Sequence, residues 1–297
     1  DELYSETTVD NGGLFESSFT LNGVPAKITD RMDRVINGIL TCDEPIDIES
    51  SNSFPTAAGL ASSASGIAAL VRALHHYDNP FDWSGIRTTH WLSEVARLGS
   101  GSATRSMFGG FVQWSNVRAH QLFTHNHWPE LRCLVVILDK AEKVESSTTA
   151  MRRTVITSPL YKKRTEIAEN RAKIVRKAIT DRDFDTFAYF CMKESNQLHA
   201  LCLDTFPPIR YLSEDSWRLI DAIHKLNNAH CYHQEDNKPS HAIAAYTFDA
   251  GPNAFVFCLD ENVSVVRATI EKAVASARII KCRVGDGPRI IGRHLSL

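Results

Sequence analysis

Hydrophobic and polar residues alternate along this chain in two rhythms, one typical of helices and one typical of strands. Apolar side chains recur at helical spacing in residues 30–40, which predicts a short amphipathic helix. Residues 46–48 alternate between apolar and polar, which predicts a strand, and the continuous apolar run 133–138 predicts a strand buried on both faces. Long charged helices are predicted over 159–198, and an amphipathic helix over 213–226. The other predicted elements are a hairpin at Asn22-Gly23, helices over 64–75, 93–97 and 264–277 (the last capped by Ser264), and strands over 107–114, 242–248, 254–259 and 279–284.

Helices and strands are mixed along the chain, and this favours an α+β fold with two lobes. Long charged helices dominate once the apolar strand that begins at Cys133 has passed. We therefore predict a domain boundary near residue 132, with one lobe over residues 1–132 and the second over residues 133–297.

The charge balance narrows the classes of partner. The chain has 297 residues, 43% of them hydrophobic, which is enough to bury one large core or two smaller ones. Lys and Arg total 33 against 35 Asp and Glu, so the formal net charge is −2. Such a balance provides no general attraction to nucleic acid or to anionic membranes. Any anion site must be built locally, from a few cations and backbone N–H groups.

The cysteines and the chain start favour a protein of a reducing compartment. Seven cysteines are scattered without a Cys-x-x-Cys pair, which argues against a disulfide framework and a zinc site. No apolar run approaches the ~20 residues that a spanning helix needs, and the acidic start carries no signal-peptide pattern. The first residue is Asp1 and the first stretch resembles the interior of a domain, so we expect further residues upstream.

Residues 55–66 form a loop of small residues that leads directly into the helix predicted over 64–75. Small side chains let a backbone approach a ligand closely, and the free N–H groups at a helix start attract phosphate. Ser62 and Ser63 add hydroxyl donors. No Gly-Lys-Ser/Thr follows, so the loop is not a Walker A motif. A plain helix start capped by serine explains the same pattern, and both interpretations stay open.

A second loop of small residues, Gly99-Ser100-Gly101-Ser102-Ala103-Thr104-Arg105, ends in a cation. It is not a dinucleotide fingerprint, because Arg105 replaces the third glycine and no strand leads into it. A guanidinium can bind both oxygens of a carboxylate, so the loop suits an anionic substrate. The alternative for Arg105 is an ordinary surface ion pair.

Asp249 is the third candidate, because it stands where a predicted strand ends and a Gly-Pro-Asn turn begins. An aspartate beside Gly and Pro commonly stabilises the turn itself, and that alternative stays open. Two loops of small residues, one arginine and one acid at a strand end together indicate an ATP-using enzyme of small-molecule metabolism. The paired histidines, His125 with His127 and His230 with His233, fit exposed loops better than a metal site.

Together these three loops resemble the diphosphomevalonate decarboxylase family, within the GHMP kinase superfamily. The resemblance runs from about residue 15 to residue 288 and is most specific at 52–66, 96–114, 194–209 and 245–254. The run Leu-Cys-Leu-Asp-Thr-Phe-Pro-Pro-Ile at 201–209 is particularly close to the eukaryotic members. The resemblance implies an α+β, two-lobed GHMP-kinase-like fold, with an N-terminal lobe like ribosomal protein S5 and a ferredoxin-like C-terminal lobe.

The family phosphorylates the tertiary 3-hydroxyl of mevalonate 5-diphosphate with MgATP, and then releases phosphate and CO2 to leave isopentenyl diphosphate. The resemblance implies that Asp249 is the catalytic acid that orients the 3-hydroxyl, and that Arg105 binds the substrate carboxylate. It implies that ATP is bound by Gly59, Ala61, Ser62 and Ser63. The residues implied to bind the substrate are Arg31, Ser100, Gly101, Ser102, Ala103, Thr104, Arg105 and Thr148. The resemblance further implies ATP and Mg²⁺ as cofactors, no metal held by the protein alone, a homodimer, a cytosolic location, and a role in isoprenoid and sterol synthesis.

The family carries an N-terminal Lys-Tyr-Trp-Gly-Lys motif that contacts the substrate, and nothing in this sequence matches it. We expect the motif to lie upstream of Asp1, or the protein to be impaired. Three alternatives therefore remain: a sister GHMP kinase that stops at phosphorylation, a decarboxylase of the monophosphate, and a ligand-binding relative without activity.

Overall fold

A computed structural model of the chain describes residues 3–13, 15–41, 44–54, 62–80, 85–115, 117–139, 147–230 and 241–291. Its described residues divide into two compact units. Unit 1 contains residues 3–54, 62–127 and 284–291, and unit 2 contains residues 128–283. The predicted lobes place residues 284–291 with the C-terminal lobe, whereas in the structure they belong to unit 1. No helix in the described part of the chain is long and apolar enough to cross a membrane.

Unit 1 contains a four-stranded sheet in which every second residue along a strand faces the core. The strands are β1 (Ser5–Asn11), β2 (Ser18–Leu21), β3 (Val24–Pro25) and β4 (Ile46–Asn52), in the order β1-β4-β2-β3. Strand β4 buries Ile46, Ile48 and Ser50 on one face and exposes the residues between them. The predicted hairpin is present between β2 and β3. Its turn residues Asn22 and Gly23 both have positive φ, 52° and 77°, as a two-residue turn between twisted strands requires.

The described residues of unit 1 also form four helices and a second, two-stranded sheet. They are α1 (Asp30–Ile36), α2 (Ser62–Asp78), α3 (Ile86–Gly99), α4 (Ala103–Ser106), β5 (Phe111–Ser115) and β6 (Arg118–Phe123). The core contains fully buried Val35, Leu74 and Leu92. Helix α3 ends at Gly99, where a Cβ would lie 2.8 Å from the Ile67 side chain, so only glycine allows this close packing.

Residues 285–287 pack directly on the backbone of unit 1 just before β5. The N–H of Gly110 donates to the carbonyl of Gly285 at 2.8 Å. A Cβ at Gly109 would lie 2.3 Å from the nitrogen of Gly287, and Gly110 has a φ of +71°. Two consecutive glycines are therefore required where this late segment meets unit 1.

Unit 2 places four antiparallel strands beside five helices. The strands are β7 (Leu131–Ile137), β8 (Ala245–Phe248), β9 (Ala254–Leu259) and β10 (Arg278–Arg283), in the order β10-β7-β9-β8. The helices are α5 (Ser147–Thr157), α6 (Leu160–Asp181), α7 (Phe184–Asp204), α8 (Glu214–His230) and α9 (Val263–Ala273). Strand β8 therefore stands at the edge of the sheet, and α7 packs against it.

Several predicted elements begin or end elsewhere in the structure, and two of the differences have a clear local cause. Ser264 lies inside α9 rather than at its cap, because a short 3₁₀ turn over Asp260–Asn262 already starts the helix and Asn262 takes the cap position. The strand predicted over 107–114 begins only at Phe111, because the residues before it follow α4 and form a turn. Arg105 accordingly lies on a short helix, not on a loop.

Candidate active site

Arg31 lies in the first turn of α1, on the exposed side of that helix. Thr29 caps the helix, because its hydroxyl accepts a hydrogen bond from the N–H of Met32 at 3.4 Å. The buried side chains of Met32 and Val35 anchor α1 in the core of unit 1. The guanidinium of Arg31 is thus carried on a well-anchored helix start.

The start of α2 keeps the features expected of an anion site. Helix α2 begins at Ser62 and has no acidic residue in its first turn, so the positive end of its dipole is not neutralised. Ser62 is half-buried and Ser63 is exposed. The hydroxyl of Ser65 donates to the carbonyl of Ser62 at 3.3 Å and also contacts the hydroxyl of Ser5 at 2.7 Å, which ties this turn to β1. The other two predicted ATP-binding residues, Gly59 and Ala61, lie outside the described residues.

A tight turn joins α3 to α4 and carries the predicted substrate-binding serines. The N–H of Ser100 donates to the carbonyl of Ala96 at 3.0 Å, and the N–H of Ala103 donates to the carbonyl of Ser100 at 3.0 Å. The hydroxyls of Ser100 and Ser102 contact each other at 3.2 Å. Ala103 is fully buried in the core of unit 1, so its methyl group anchors the turn and faces away from solvent.

Trp114 covers both Gly101 and Arg105. The guanidinium carbon of Arg105 lies 5.6 Å from the centroid of the Trp114 ring, which is a cation–π distance. A Cβ at Gly101 would lie 3.1 Å from the indole, so the absence of a side chain there lets the ring approach the turn closely. Trp114, in β5, is only 37% exposed. The exposed guanidinium of Arg105 is therefore oriented by an aromatic face.

Thr104 presents a polar atom inside unit 1. Its side chain is fully buried, and its Oγ1 has no hydrogen-bond partner among the described residues. The carbonyl of Thr104 accepts a hydrogen bond from the buried Ser93 hydroxyl at 2.9 Å, and that same hydroxyl accepts from the N–H of Ala119 at 3.3 Å. Ser93 thus fixes α4 to β6, while the threonine hydroxyl keeps its hydrogen-bonding capacity.

Asp249 immediately follows β8, as predicted, and its side chain is exposed. The N–H of Gly251 donates to the carbonyl of Asp249 at 2.9 Å, which closes the turn through the backbone. The turn therefore has a hydrogen bond within its own backbone.

The residue before Asp249 is held by two buried side chains of α7. The N–H of Phe248 donates to the Ser195 hydroxyl at 3.0 Å, and the carbonyl of Phe248 lies 3.3 Å from His199 Nε2. Ser195 is 3% exposed and His199 is 6% exposed. Burial lowers the pKa of His199 below its usual value, partly opposed by the hydrogen bond to the Phe248 carbonyl, so the ring is neutral at physiological pH. The carbonyl can only accept, so Nε2 carries the proton.

The far side of the turn is held equally firmly. The buried hydroxyl of Ser216 donates to the carbonyl of Pro252 at 2.8 Å. Asn253, 1% exposed, accepts from the N–H of Leu138 at 2.7 Å and of Asp139 at 3.0 Å, and donates to the carbonyl of Asp139 at 2.8 Å. One amide side chain therefore joins the turn of Asp249 to the segment that leaves β7.

Thr148 is the second residue of α5 and is half-buried. Helix α5 has no acidic residue in its first turn, so its start also favours an anion. The predicted residues thus fall into two groups. Arg31, Ser62, Ser63 and the segment 100–105 belong to unit 1, whereas Thr148 and Asp249 belong to unit 2.

Metal-binding clusters and buried thiols were two other possible sources of catalytic groups in the described part of the chain. No group of three or more His, Cys, Asp and Glu side chains there could hold a metal ion. Burial raises the pKa of Cys191 to about 12 and of Cys202 and Cys258 to about 11, so these thiols stay protonated.

Comparison with known proteins matches two family descriptions to this chain. The family description "Mevalonate 5-diphosphate decarboxylase C-terminal domain" matches residues 133–286, and "Diphosphomevalonate decarboxylase-like N-terminal domain" matches residues 1–122. The human diphosphomevalonate decarboxylase is 45% identical over 234 residues, which cover 76% of this chain and 54% of the human protein. The chain therefore spans just over half the length of that relative.

Two solved structures are similar over nearly the whole chain. Mevalonate diphosphate decarboxylase from Trypanosoma brucei is 31% identical with a TM-score of 0.83, covering 99% of this chain and 88% of the other. A structure described as MDDEF in complex with MVAPP, AMPPCP and magnesium is 30% identical with a TM-score of 0.82, covering 97% of this chain and 86% of the other.

The mixture of helices and sheets, with these structural neighbours, is the α+β fold of the GHMP kinase superfamily, and the predicted fold class is confirmed. Both halves of the chain match one family within that superfamily. The chain belongs to the diphosphomevalonate decarboxylase family.

Sequence reasoning did not find Trp114, Ser195, His199 or Asn253. Three of them carry a recognisable signal. Ser195 and His199 are polar residues four apart on a helix, so they share one face, and both lie in the stretch 194–209 that resembles the family. Asn253 is the last residue of the turn that Asp249 begins.

Proposed function

We propose that this protein catalyses the ATP-dependent decarboxylation of mevalonate 5-diphosphate to isopentenyl diphosphate, with release of ADP, phosphate and CO2. The observation that carries the proposal is the exposed carboxylate of Asp249 on a turn held by buried side chains on both sides, in a chain of this family. A carboxylate that is accessible to a ligand and carried on a firmly held backbone turn fits the positioning that acid–base catalysis needs.

The phosphates of ATP are assigned to the start of α2. Ser62, Ser63, Gly59 and Ala61 form this proposed site, and an unneutralised helix start with two hydroxyls fits a triphosphate. A magnesium ion bound there with the phosphates would neutralise their negative charge during the transfer, and such an ion usually keeps several waters and only one or two carboxylate ligands. The absence of a metal-ligand cluster among the described residues is compatible with such a substrate-held ion. A structural neighbour described with MVAPP, AMPPCP and magnesium, an ATP analogue among them, supports both cofactors.

The substrate is assigned to the turn between α3 and α4 and to two further positions. In this proposal Arg105 binds the carboxylate, and the Trp114 ring beneath the guanidinium limits its rotation. The hydroxyls of Ser100 and Ser102 provide hydrogen bonds. Thr104, whose hydroxyl is buried inside unit 1, is assigned to this segment on the resemblance alone. Gly101 and Ala103 contribute backbone. Arg31 is assigned to the diphosphate and Thr148 to the substrate on the same resemblance.

Asp249 has two roles in sequence. Its carboxylate first orients the tertiary 3-hydroxyl and takes up its proton as the oxygen attacks the γ-phosphorus and ADP leaves; the proton then passes to solvent, which leaves the carboxylate ionised. The C3–O bond then breaks, phosphate departs with the electron pair, and C3 becomes electron-poor. The carboxylate of Asp249 stabilises that positive charge electrostatically. The C1–C2 bond breaks, its electrons form the C2–C3 double bond, and CO2 leaves.

The test is the turnover of Asp249→Asn, which keeps size and most hydrogen bonding but removes the charge. We expect kcat to fall by roughly 10²–10⁴-fold, with KM for both substrates little changed, because the charge acts mainly in the transition state. Asp183→Asn is the matched control. Asp183 is an exposed aspartate of unit 2 that caps α7 by accepting from the N–H of Thr186 at 3.0 Å, and asparagine caps equally well. Near-parent turnover of Asp249→Asn in a folded protein would refute the proposal.

The product ratio separates this function from the alternatives. A decarboxylase releases one CO2 for each ADP, whereas a sister kinase releases ADP alone and an inactive relative releases neither. Assays with mevalonate 5-phosphate and mevalonate 5-diphosphate in parallel distinguish the monophosphate enzyme. Arg105→Lys is expected to fold and turn over poorly, since an ammonium cannot match the two-point geometry of a guanidinium.

Three finer features are proposed on the family resemblance alone: a homodimer, a cytosolic location, and a place in sterol synthesis. Sedimentation velocity tests the first, and a monomer at micromolar concentration would contradict it. Microscopy of a tagged native protein tests the second. Sterol measurement after depletion of the protein tests the third.

A further inference from the structure

Helix α7 runs along the open edge of the sheet in unit 2. Strand β8 is the edge strand, so residues 246 and 248 direct backbone groups away from β9. Three α7 side chains, spaced four residues apart, meet these groups. Cys191 Sγ lies 3.8 Å from the carbonyl of Tyr246, and Ser195 and His199 take the N–H and the carbonyl of Phe248. This stripe of α7 side chains therefore provides hydrogen-bond partners for β8 backbone groups that would otherwise lack them.

The last contact of this stripe reaches the backbone of Asp249. The carbonyl of Phe248 and the N–H of Asp249 belong to a single peptide group, and the six atoms from one Cα to the next lie in one plane. His199 holds the carbonyl oxygen of this plane, and Ser195 holds the N–H of Phe248, which belongs to the preceding peptide plane. The two peptide planes that meet at the Cα of Phe248 are thus each held at one atom, and this restrains the backbone from which the Asp249 carboxylate projects.

We propose that Ser195 and His199 are positioning residues that set the carboxylate of Asp249 in its reactive geometry, an inference that rests on the proposed function. Neither side chain is needed to form β8, which pairs with β9 through its other edge. Both are nearly fully buried, while the aspartate they orient is exposed. Buried polar groups on a helix face packed against a sheet are costly unless they are bonded, and here every bond is made to the residue next to Asp249.

The neutral state of His199 suits this role. The contact requires an Nε2–H donor, and burial holds the ring neutral by lowering its pKa. The aromatic rings of Tyr211 and Phe248 meet the imidazole edge-on, with centroids 6.3 and 6.2 Å away, which restricts its rotation. Nothing in this arrangement calls for His199 to touch the substrate, so we expect it to act only through Asp249.

The test is a set of single substitutions in the full chain, with kcat, KM and a thermal melt measured for each. Ser195→Ala removes the acceptor, His199→Leu removes the donor at similar volume, and His199→Gln keeps an N–H donor at nearly the same place. Because a misplacement of about 1 Å can cost on the order of 10²-fold in rate, we expect Ser195→Ala and His199→Leu to lose roughly ten- to hundredfold in kcat. KM for ATP should stay near the parent value, and His199→Gln should recover most of the turnover. Cys191→Ala, on the same stripe but two residues further from Asp249 along β8, should keep parent kcat.

A double-mutant cycle with Asp249→Asn decides whether the two residues act through the aspartate. Once the charge has gone, Ser195→Ala and His199→Leu should cause no further loss of the residual turnover, measured by release of radiolabelled CO2. The same fold loss in both backgrounds would overturn the inference, as would parent kcat in the single variants with only a lower melting temperature. If His199→Leu does not fold, Ser195→Ala, which removes one hydroxyl, decides alone.

Failure of this inference can be told apart from failure of the proposed function. If Asp249→Asn retains parent turnover, the proposed function is wrong and the positioning role falls with it. If Asp249→Asn is inactive while Ser195→Ala and His199→Leu are unaffected, the function stands and only the positioning role is wrong.

Discussion

Replacing Asn253 by alanine should weaken the protein and lower its turnover at the same time. The Asn253 side chain makes three hydrogen bonds to backbone groups of Leu138 and Asp139, at 2.7, 3.0 and 2.8 Å. Alanine leaves two N–H groups and one carbonyl without this partner. An unsatisfied buried group costs about 1–3 kcal/mol, and these groups are only partly buried, so we expect a loss of about 3 kcal/mol in the free energy of unfolding.

Asn227 provides the matched comparison. It is fully buried in α8 and also makes three bonds to backbone, to the carbonyl of Ala244 at 2.9 Å and from the N–H groups of Ile243 and Ala244 at 3.0 and 3.1 Å. Asn227→Ala should therefore destabilise the protein by a similar amount. Its bonds lie at the start of β8, whereas those of Asn253 hold the turn of Asp249.

The assay combines urea unfolding with kcat measured well below the unfolding transition. Hydrogen exchange of the peptide that contains residues 138 and 139 reports the local effect, since both amides lose their acceptor in Asn253→Ala and should exchange faster. We expect kcat to fall in Asn253→Ala and to stay near parent in Asn227→Ala. Equal kcat in the two variants would refute the argument that Asn253 supports the active geometry, and a loss below about 1 kcal/mol would refute the hydrogen-bond account.

Two further predictions concern the orientation of Arg105 and the titration of His199. Trp114→Leu should raise KM for the carboxylate substrate about two- to fivefold at unchanged kcat, because a cation–π contact at an exposed site contributes about 0.5–1 kcal/mol. An unchanged KM would show that the ring does not orient the guanidinium. The pKa of His199 is lowered from 6.5, so the unfolded chain takes up the proton first as pH falls. The free energy of unfolding should therefore decrease as pH drops from about 6.5 to the lower pKa of His199 in the folded protein. In urea titrations across this pH range, His199→Gln should show a smaller decrease. An unaltered pH dependence in this variant would contradict the assignment of the effect to His199.

The sequence contains enough local information to predict most helices and strands. It does not predict where an element starts when the residues before it are held by other contacts. The hairpin at Asn22-Gly23 is predictable because positive φ at two successive positions is a local demand of the backbone. The late start of β5 is not, because residues before Phe111 are drawn into packing against residues 285–287, far along the chain. Ser264 has the right chemistry for a cap, yet a 3₁₀ turn formed by preceding residues starts the helix earlier.

The residues of the candidate site also include some that the sequence predicts and some that it does not. Asp249 is predictable from its position after an apolar strand, and the structure places it there. The partners that hold it are not, because Ser195, His199 and Asn253 meet the turn or its neighbours through pairings distant in sequence. The role of Trp114 is hidden for a similar reason: the contact with Arg105 depends on β5 running back past the turn between α3 and α4. The roles of Arg31, Ser62, Ser63 and the segment 100–105 remain predictions.

The packing of residues 285–287 on Gly109 and Gly110 has a consequence for synthesis of the chain. Unit 1 is interrupted in sequence by the whole of unit 2, so its last segment leaves the ribosome only after residues 128–283 have been made. At ~5–20 residues per second, the backbone around Gly109 waits on the order of ten seconds or longer for its partner. During that interval a nascent unit 1 exposes this edge, whereas the described residues of unit 2 all lie within 128–283 and can close as soon as this stretch emerges. We expect the inserted unit to complete its fold before the unit that surrounds it in sequence.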